Sequence, residues 1–186
     1  MKESFVIEVK ASNDIPMIYI ADLAAYNAGM LRGEWIEVEP YPEDRLTADR
    51  ISELLEEWDA EEYAVHDHQG FPPGFVTEHP NLEALEFWAE LVEHDEELAW
   101  AYSAIIDDAH GLDPWEWKQD MQDRFLGSAD SATDYAAELV ETSGYIQEDL
   151  PWWIAVDYTA TARNLALHNS EIFIRVKGTV YVFNGR

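Results

Sequence analysis

Two periods of hydrophobic spacing run along this chain. Residues 17–20 (Met-Ile-Tyr-Ile) are a β-branched and aromatic run bounded by Pro16 and Asp22, which predicts a strand. The Ala-rich stretch from Leu23 to Gly29 predicts a short helix, with Gly29 suited to its C-terminal cap. Residues 34–39 (EWIEVE) alternate with period two, as a half-buried strand does. Thr47 then reads as the cap of a helix whose apolar residues Ile51, Leu54, Leu55 and Trp58 fall at i, i+3, i+4, i+7. Tyr63–His66 reads as a further strand. Gly70, Pro72, Pro73 and Gly74 break the chain and place a unit boundary at about residue 78.

Helical spacing dominates the next stretch. Asn81 can cap a helix with Leu82, Leu85, Trp88, Leu91 and Val92 inward. Asp95 can cap the next, with Leu98, Tyr102, Ile105 and Ile106 inward and Gly111 past its end. Asp113, Pro114 and Glu116 supply a cap, a pre-set first residue and an acid at the third position. Further helices fit roughly 130–142, ending before Gly144, and 157–168, capped by Asp157. The runs EIFIRV and TVYVF, joined by Lys177-Gly178, predict a C-terminal β-hairpin. The fold class is therefore α+β, in more than one compact unit.

Composition sharpens this picture. The 186 residues include 39 Asp+Glu against 11 Lys+Arg, a formal net charge of −28. A basic nucleic-acid interface is excluded, because phosphate contacts need clustered Lys and Arg, and an anionic membrane surface would repel the chain. Disorder does not fit either, since 47% of residues are hydrophobic and eight are Trp. The chain reads as a folded polyanion. Along the sequence the charge is uneven: −9 over residues 1–60, −21 over 61–150 and +2 over 151–186. Uniform acidification, as in a salt-adapted protein, would not leave a C-terminal segment of opposite sign.

The acids fall in lines. Glu83, Glu86, Glu90 and Glu93 are spaced 3, 4, 3, which puts them along one side of a helix, with Glu96 and Glu97 beyond. Asp130, Asp134, Glu138 and Glu141 repeat the arrangement with spacing 4, 4, 3. Asp107, Asp108, Asp113, Glu116, Asp120 and Asp123 lie between the two stripes. Like charges at i, i+4 cost a helix a few tenths of a kcal/mol per pair, and a surface selected only for stability would interleave lysines. Duplex DNA carries one charge per ~1.7 Å of axis, so 28 excess charges correspond to about 48 Å of duplex. A compact chain of this length would be about 40 Å across. The charge density is on the scale of DNA itself, which makes the chain a candidate competitor for a groove built to hold phosphates.

Other chemistry is thin. With no cysteine, thiolate catalysis, disulfides and Cys-ligated zinc are ruled out. His66, Asp67 and His68 form a triplet whose two imidazoles would share one face of a strand, but spacing assigns no third ligand. The run DDAHGLDPWE (107–116) lacks the residue order of a calcium loop, and no phosphate-binding, dinucleotide or nucleophile-elbow motif occurs. Trp58 and Trp88 read as core, while Trp115 and Trp117 cannot both face fully inward. No cofactor is expected and nothing argues for an enzyme. The N-terminus carries no signal-peptide h-region and no run reaches the length of a membrane span, so a cytoplasmic protein is expected.

Four stretches resemble ArdA-type antirestriction proteins: IPMIYIADLAAYNAGMLRGEWIEV (15–38), EEYAVHDHQGFP (61–72), SATDYAAELVETSG (131–144) and YTATARNLALHNSEIFIRVKGTVYVF (158–183). The resemblance implies an elongated, dimeric DNA mimic, carried on mobile genetic elements, that blocks type I restriction-modification enzymes. It implies three small α/β-type units, here 1–78, 79–122 and 123–186, with a helical acidic middle and the dimer contact in the C-terminal unit. The opening KESFVIEVKASND extends beyond that pattern, as an added edge strand or a mobile arm. The expected partners are a type I enzyme's DNA-binding groove and a second copy of the chain, with the two stripes and the acids between them standing in for phosphates. The rival readings are an acidic adaptor or decoy for another basic DNA-binding protein, and a salt-adapted enzyme.

Overall fold

The computed structural model describes residues 3–40, 46–106, 114–144, 151 and 154–185. The fold is α+β, and the chain forms two compact units, Ala11–Trp117 and Lys118–Arg186, the latter completed by Met1–Lys10.

The Ala11–Trp117 unit is built on a three-stranded antiparallel sheet in the order β3-β2-β4, formed by β2 (Met17–Asp22), β3 (Gly33–Glu37) and β4 (Tyr63–Gln69). Between β2 and β3 lies the short helix α1 (Leu23–Asn27). Asp22 caps it by accepting from the Ala25 N–H at 2.9 Å, and Gly29 takes a positive φ of 79° just past the helix end. Asp22 is fully buried and also pairs with Arg32 at 2.6 Å, while Arg32 donates to the Trp58 carbonyl. One carboxylate thus ties a helix start, the entry to β3 and the end of α2 (Leu46–Trp58).

Ile51 and Leu54 of α2 are buried, as their spacing predicts. Thr47 is not a free cap. It lies within the helix, 1% exposed, and its Oγ1 accepts from the Glu39 N–H at 3.2 Å, fastening the chain after β3 onto α2. In β4 the register shifts opposite Tyr19/Ile20, so the two histidines do not share a simple alternating face. His66 meets Tyr26 edge-on at 4.6 Å, and His68 meets Phe71 at 6.1 Å.

The Gly70–Gly74 break packs against the next helical segment of the chain. Helix α3 (Leu82–Ser103) starts on Asn81, whose side chain accepts from the Glu83 N–H. Its Trp88 is fully buried, donates to the Gly70 carbonyl at 2.8 Å, and packs on Phe75 at 5.3 Å and Trp100 at 5.4 Å. Trp117 joins through Phe75 at 5.1 Å and Phe87 at 6.2 Å. Gly70 has φ +75°, and a Cβ there would stand 2.7 Å from both the Asp14 carbonyl and the Pro16 nitrogen. Only glycine lets the three segments close here. At Asp95 α3 leaves helical geometry (φ −154°), and the Asp95 side chain accepts from the Leu98 N–H at 3.0 Å. The cap read from the sequence divides two helical stretches that adjoin without a loop.

The second unit carries a four-stranded sheet in the order β1-β6-β7-β5. Its strands are β1 (Val6–Val9), β5 (Phe125–Ala129), β6 (Glu171–Val176) and β7 (Thr179–Asn184), with helices α5 (Ala132–Ser143) and α6 (Tyr158–Leu167). α4 (Pro114–Arg124) runs directly into β5. The Lys177-Gly178 hairpin is present, both residues having positive φ as a type I′ turn requires. Ser131 and Asp157 cap α5 and α6, and Gly144 is left-handed after α5. Ala132, Ala136 and Ala162 are fully buried with Val6, Phe173, Val180 and Val182. These small residues let both helices lie close on the sheet. Strand β5 has no strong hydrophobic pattern in the sequence; it exists because it pairs with β7. β1 is an edge strand, running parallel to β6.

Glu171 opens β6 with Oε2 buried and no hydrogen-bond partner, and burial raises its pKa. A carboxyl that holds its proton more tightly when folded loses stability as pH rises from the ordinary carboxylate range through the raised value. A Glu171→Gln chain is therefore expected to melt slightly higher than the parent at pH 7. The gain should be less than the ~2–4 °C that 1 kcal/mol gives in a chain of this size, and it should shrink toward pH 4. Thermal melts at the two pH values check this.

Candidate functional site

Grouping by unit changes where the charge sits. The Ala11–Trp117 unit has 27 Asp+Glu against three Arg and no Lys, whereas the other unit has 12 against eight Lys+Arg. The first unit is net −24 and the second −4.

In the first unit the α3 stripe is only partly displayed. Glu83 and Glu93 are exposed and Glu90 is half-buried, but Glu86 is 5% exposed and turned into the unit. The cause is the depth at which the helix is set: Ala84, Leu85, Phe87, Trp88, Ala89 and Leu91 are all buried, more than half the circumference, so a line of acids at its margin cannot stay wholly in solvent. Glu96 and Glu97 are half-buried and Glu116 is exposed. Asp107, Asp108 and Asp113 lie outside the described residues.

In the second unit Asp130, Asp134, Glu138 and Glu141 are all exposed, but only the last three stand on α5. The helix begins at Ala132 after its cap Ser131, so Asp130 precedes it and the stripe on the helix has three members, not four. Asp134 also serves the helix: its N–H donates to Ser131 Oγ at 3.1 Å, and the Ser131 hydroxyl donates back to its carboxylate at 2.5 Å. Tyr158 donates to Glu141 at 3.4 Å. On α4, Asp123 is exposed and half-buried Asp120 pairs with Arg124 at 3.5 Å.

A further acidic surface went unmarked in the sequence. Between β3 and α2 the first unit opens a groove of about 480 Å³, lined by Glu34, Glu37, Glu39, Asp49 and Glu53, with Trp35 and Arg50 among the other lining residues. Arg50 reaches Glu34 at 2.6 Å and Glu53 at 3.2 Å, and these hydrogen bonds raise its pKa, keeping it charged. Glu37, Glu39 and Asp49 have no cation within pairing distance among the described residues. Asp49, Glu53, Glu56 and Glu57 are all exposed on α2. Asp49, Glu53 and Glu56 are spaced 4 and 3, with Glu57 at i+4 from Glu53, and this signal was available from the sequence. The β3 contribution was not, because Glu34 and Glu37 join α2 only through the tertiary fold.

Among the described residues no group of three or more His, Asp or Glu is arranged to hold a metal ion. Asp67 of the His-Asp-His triplet accepts from the His68 backbone N–H at 2.8 Å, a local turn-like contact. No helix among the described residues is long and apolar enough to cross a membrane. What the surface offers chemically is an array of carboxylates on rigid helices and one strand, able to receive Lys and Arg side chains of a partner. Residues 18–180 match the family model described as antirestriction protein (ArdA). No curated protein matches the chain as a relative.

Proposed function

Because this chain belongs to the ArdA family of antirestriction proteins, we propose that it inhibits a type I restriction-modification enzyme by occupying that enzyme's DNA-binding groove as a mimic of DNA. The observation that carries the reading is the charge of the Ala11–Trp117 unit, 27 carboxylates against three arginines in a folded domain. Such a surface is repelled by nucleic acid and attracted to whatever binds it. The exposed acids of α2, β3 and α3 stand in for phosphates in this unit, with Asp123, Asp130, Asp134, Glu138 and Glu141 adding to them in the other. Carboxylates reproduce charge and spacing but not base edges, so the target is chosen by the shape of its groove rather than by sequence readout. The near-balanced charge of the Lys118–Arg186 unit supports a homodimer contact there, since two strongly like-charged surfaces associate poorly. The chain has no chemistry to perform in this role, and it acts in the cytoplasm of a cell receiving foreign DNA.

The test is competition. Purified protein is titrated against a labelled duplex bound to a type I methyltransferase core, and stoichiometric displacement is expected. Displacement should weaken as salt is raised, because the attraction is screened over ~10 Å at 0.1 M. Retention of the duplex at excess protein would sink the reading. Equal binding to unrelated basic DNA-binding proteins would favour a general acidic decoy.

A further inference from the structure

The N-terminal strand lies outside the part of the chain that matches the family, which begins at residue 18. It is nevertheless seated in specific contacts. β1 pairs in parallel with β6, Val6 opposite Phe173 and Glu8 opposite Arg175. Phe5 meets the Phe173 ring edge-on at 6.0 Å, and Val6 enters the alanine-lined core. Arg175 is clamped between Glu3 at 3.0 Å and Glu8 at 3.4 Å, and Thr133 donates to Glu3 at 3.1 Å. All these partners lie more than 120 residues away in the chain, and immediately after Lys10 the chain passes into the other unit.

We infer that β1 is an exchangeable edge strand, and that the β6 edge beneath it is a docking surface for the β1 segment of a second copy of this chain. Three features support this, independently of what the acidic surface binds. First, β1 is four residues long and only Val6 of the strand is buried, Ile7 remaining 46% exposed and Glu8 exposed, so its release withdraws one strand side chain from the core rather than several. Second, release uncovers the backbone groups of β6, and a bare edge next to buried Phe173 is a template for any matching strand. Third, no hairpin ties β1 to its neighbour; every contact holding it would be the same if the strand came from another copy. Each copy then donates one strand and accepts one, a closed two-fold exchange.

The chain has no cysteine, so introduced thiols report the pairing without background. A Glu8→Cys chain and a tagged Arg175→Cys chain are mixed at high concentration, incubated and oxidised. A covalent heterodimer is expected, at several-fold the yield of a control mixture in which the tagged chain carries Asp123→Cys instead. A yield no greater than the control at any concentration would overturn the inference. Hydrogen exchange of the unaltered chain is the second readout. The β1 amides should exchange at least tenfold faster than those of β7; equal protection would mean that β1 does not open by itself, and the inference fails.

Discussion

Replacing Glu34, Glu37, Asp49, Glu53, Glu56 and Glu57 together by their amides is expected to weaken binding to a type I methyltransferase core about a hundredfold. All six are exposed. An exposed charge pair contributes on the order of 0.5 kcal/mol, so six lost partners amount to ~3 kcal/mol, a little over two decades in Kd. Single replacements should each cost only two- to threefold, because no one carboxylate is the centre of the surface. The fold should survive, since the amides keep the hydrogen bonds to Arg50 and remove repulsion between neighbours. The salt dependence of binding should become shallower in the same variant. Amides at Asp123, Asp130, Glu138 and Glu141 are expected to cost less, because their unit carries net −4 rather than −24. Competition titrations at two salt concentrations distinguish these outcomes, and a larger loss from the second set would move the principal contact to the Lys118–Arg186 unit.

Trp88→Ala is expected to destabilise the Ala11–Trp117 unit by about 4 kcal/mol. The indole is fully buried and touches both Phe75 and Trp100, so its removal deletes both ring contacts and leaves a cavity that the surrounding rings fill only in part. Its loss also leaves the Gly70 carbonyl without the 2.8 Å hydrogen bond that holds the glycine turn to α3. For a unit of about a hundred residues the melting midpoint should fall by ~20 °C. Trp88→Phe keeps most of the packing and loses the hydrogen bond, so it should cost roughly 1–2 kcal/mol. Calorimetry or fluorescence melts of the three chains measure the series. Inhibition by Trp88→Ala at low temperature should persist, since the indole faces no partner.

How much was legible varies with how local the signal is. Asn81, Asp95 and Asp157 cap helices by bonds to N–H groups two or three residues away, and the Lys177-Gly178 turn closes within the hairpin. Such features depend on a handful of neighbouring residues, which is why the 3.6 and 2.0 periods locate them. Strand β5 was invisible because Phe-Leu-Gly-Ser-Ala has little periodicity of its own and is recruited by β7. The single face expected for His66 and His68 failed for the same kind of reason: the bulge is set by the pairing with β2, not by the strand's own residues. Among the stripes, α5 keeps Asp134, Glu138 and Glu141 in solvent because only Ala132 and Ala136 of that helix are buried, while Asp130 falls before the Ser131 cap and off the helix. α3 did not, because a helix set into an aromatic core takes Glu86 with it.

The hydrophobic spacing and the ratio of 39 acids to 11 bases were sufficient for an α+β polyanion, and the ordered blocks for its family, since composition, caps and motifs are properties of the chain before it folds. Which carboxylates share a surface was decided only by the tertiary structure. The pairing of Val6 with Phe173 carries the N-terminus into the C-terminal unit, and the packing of Phe75 on Trp88 and Trp117 holds α3 and Trp117 in the first. A charge gradient read along the sequence thereby becomes a division between a unit of net −24 and one of −4. The physical reason is that burial and strand pairing join residues without regard to their separation in the chain, whereas any reading of the sequence counts charge only among neighbours.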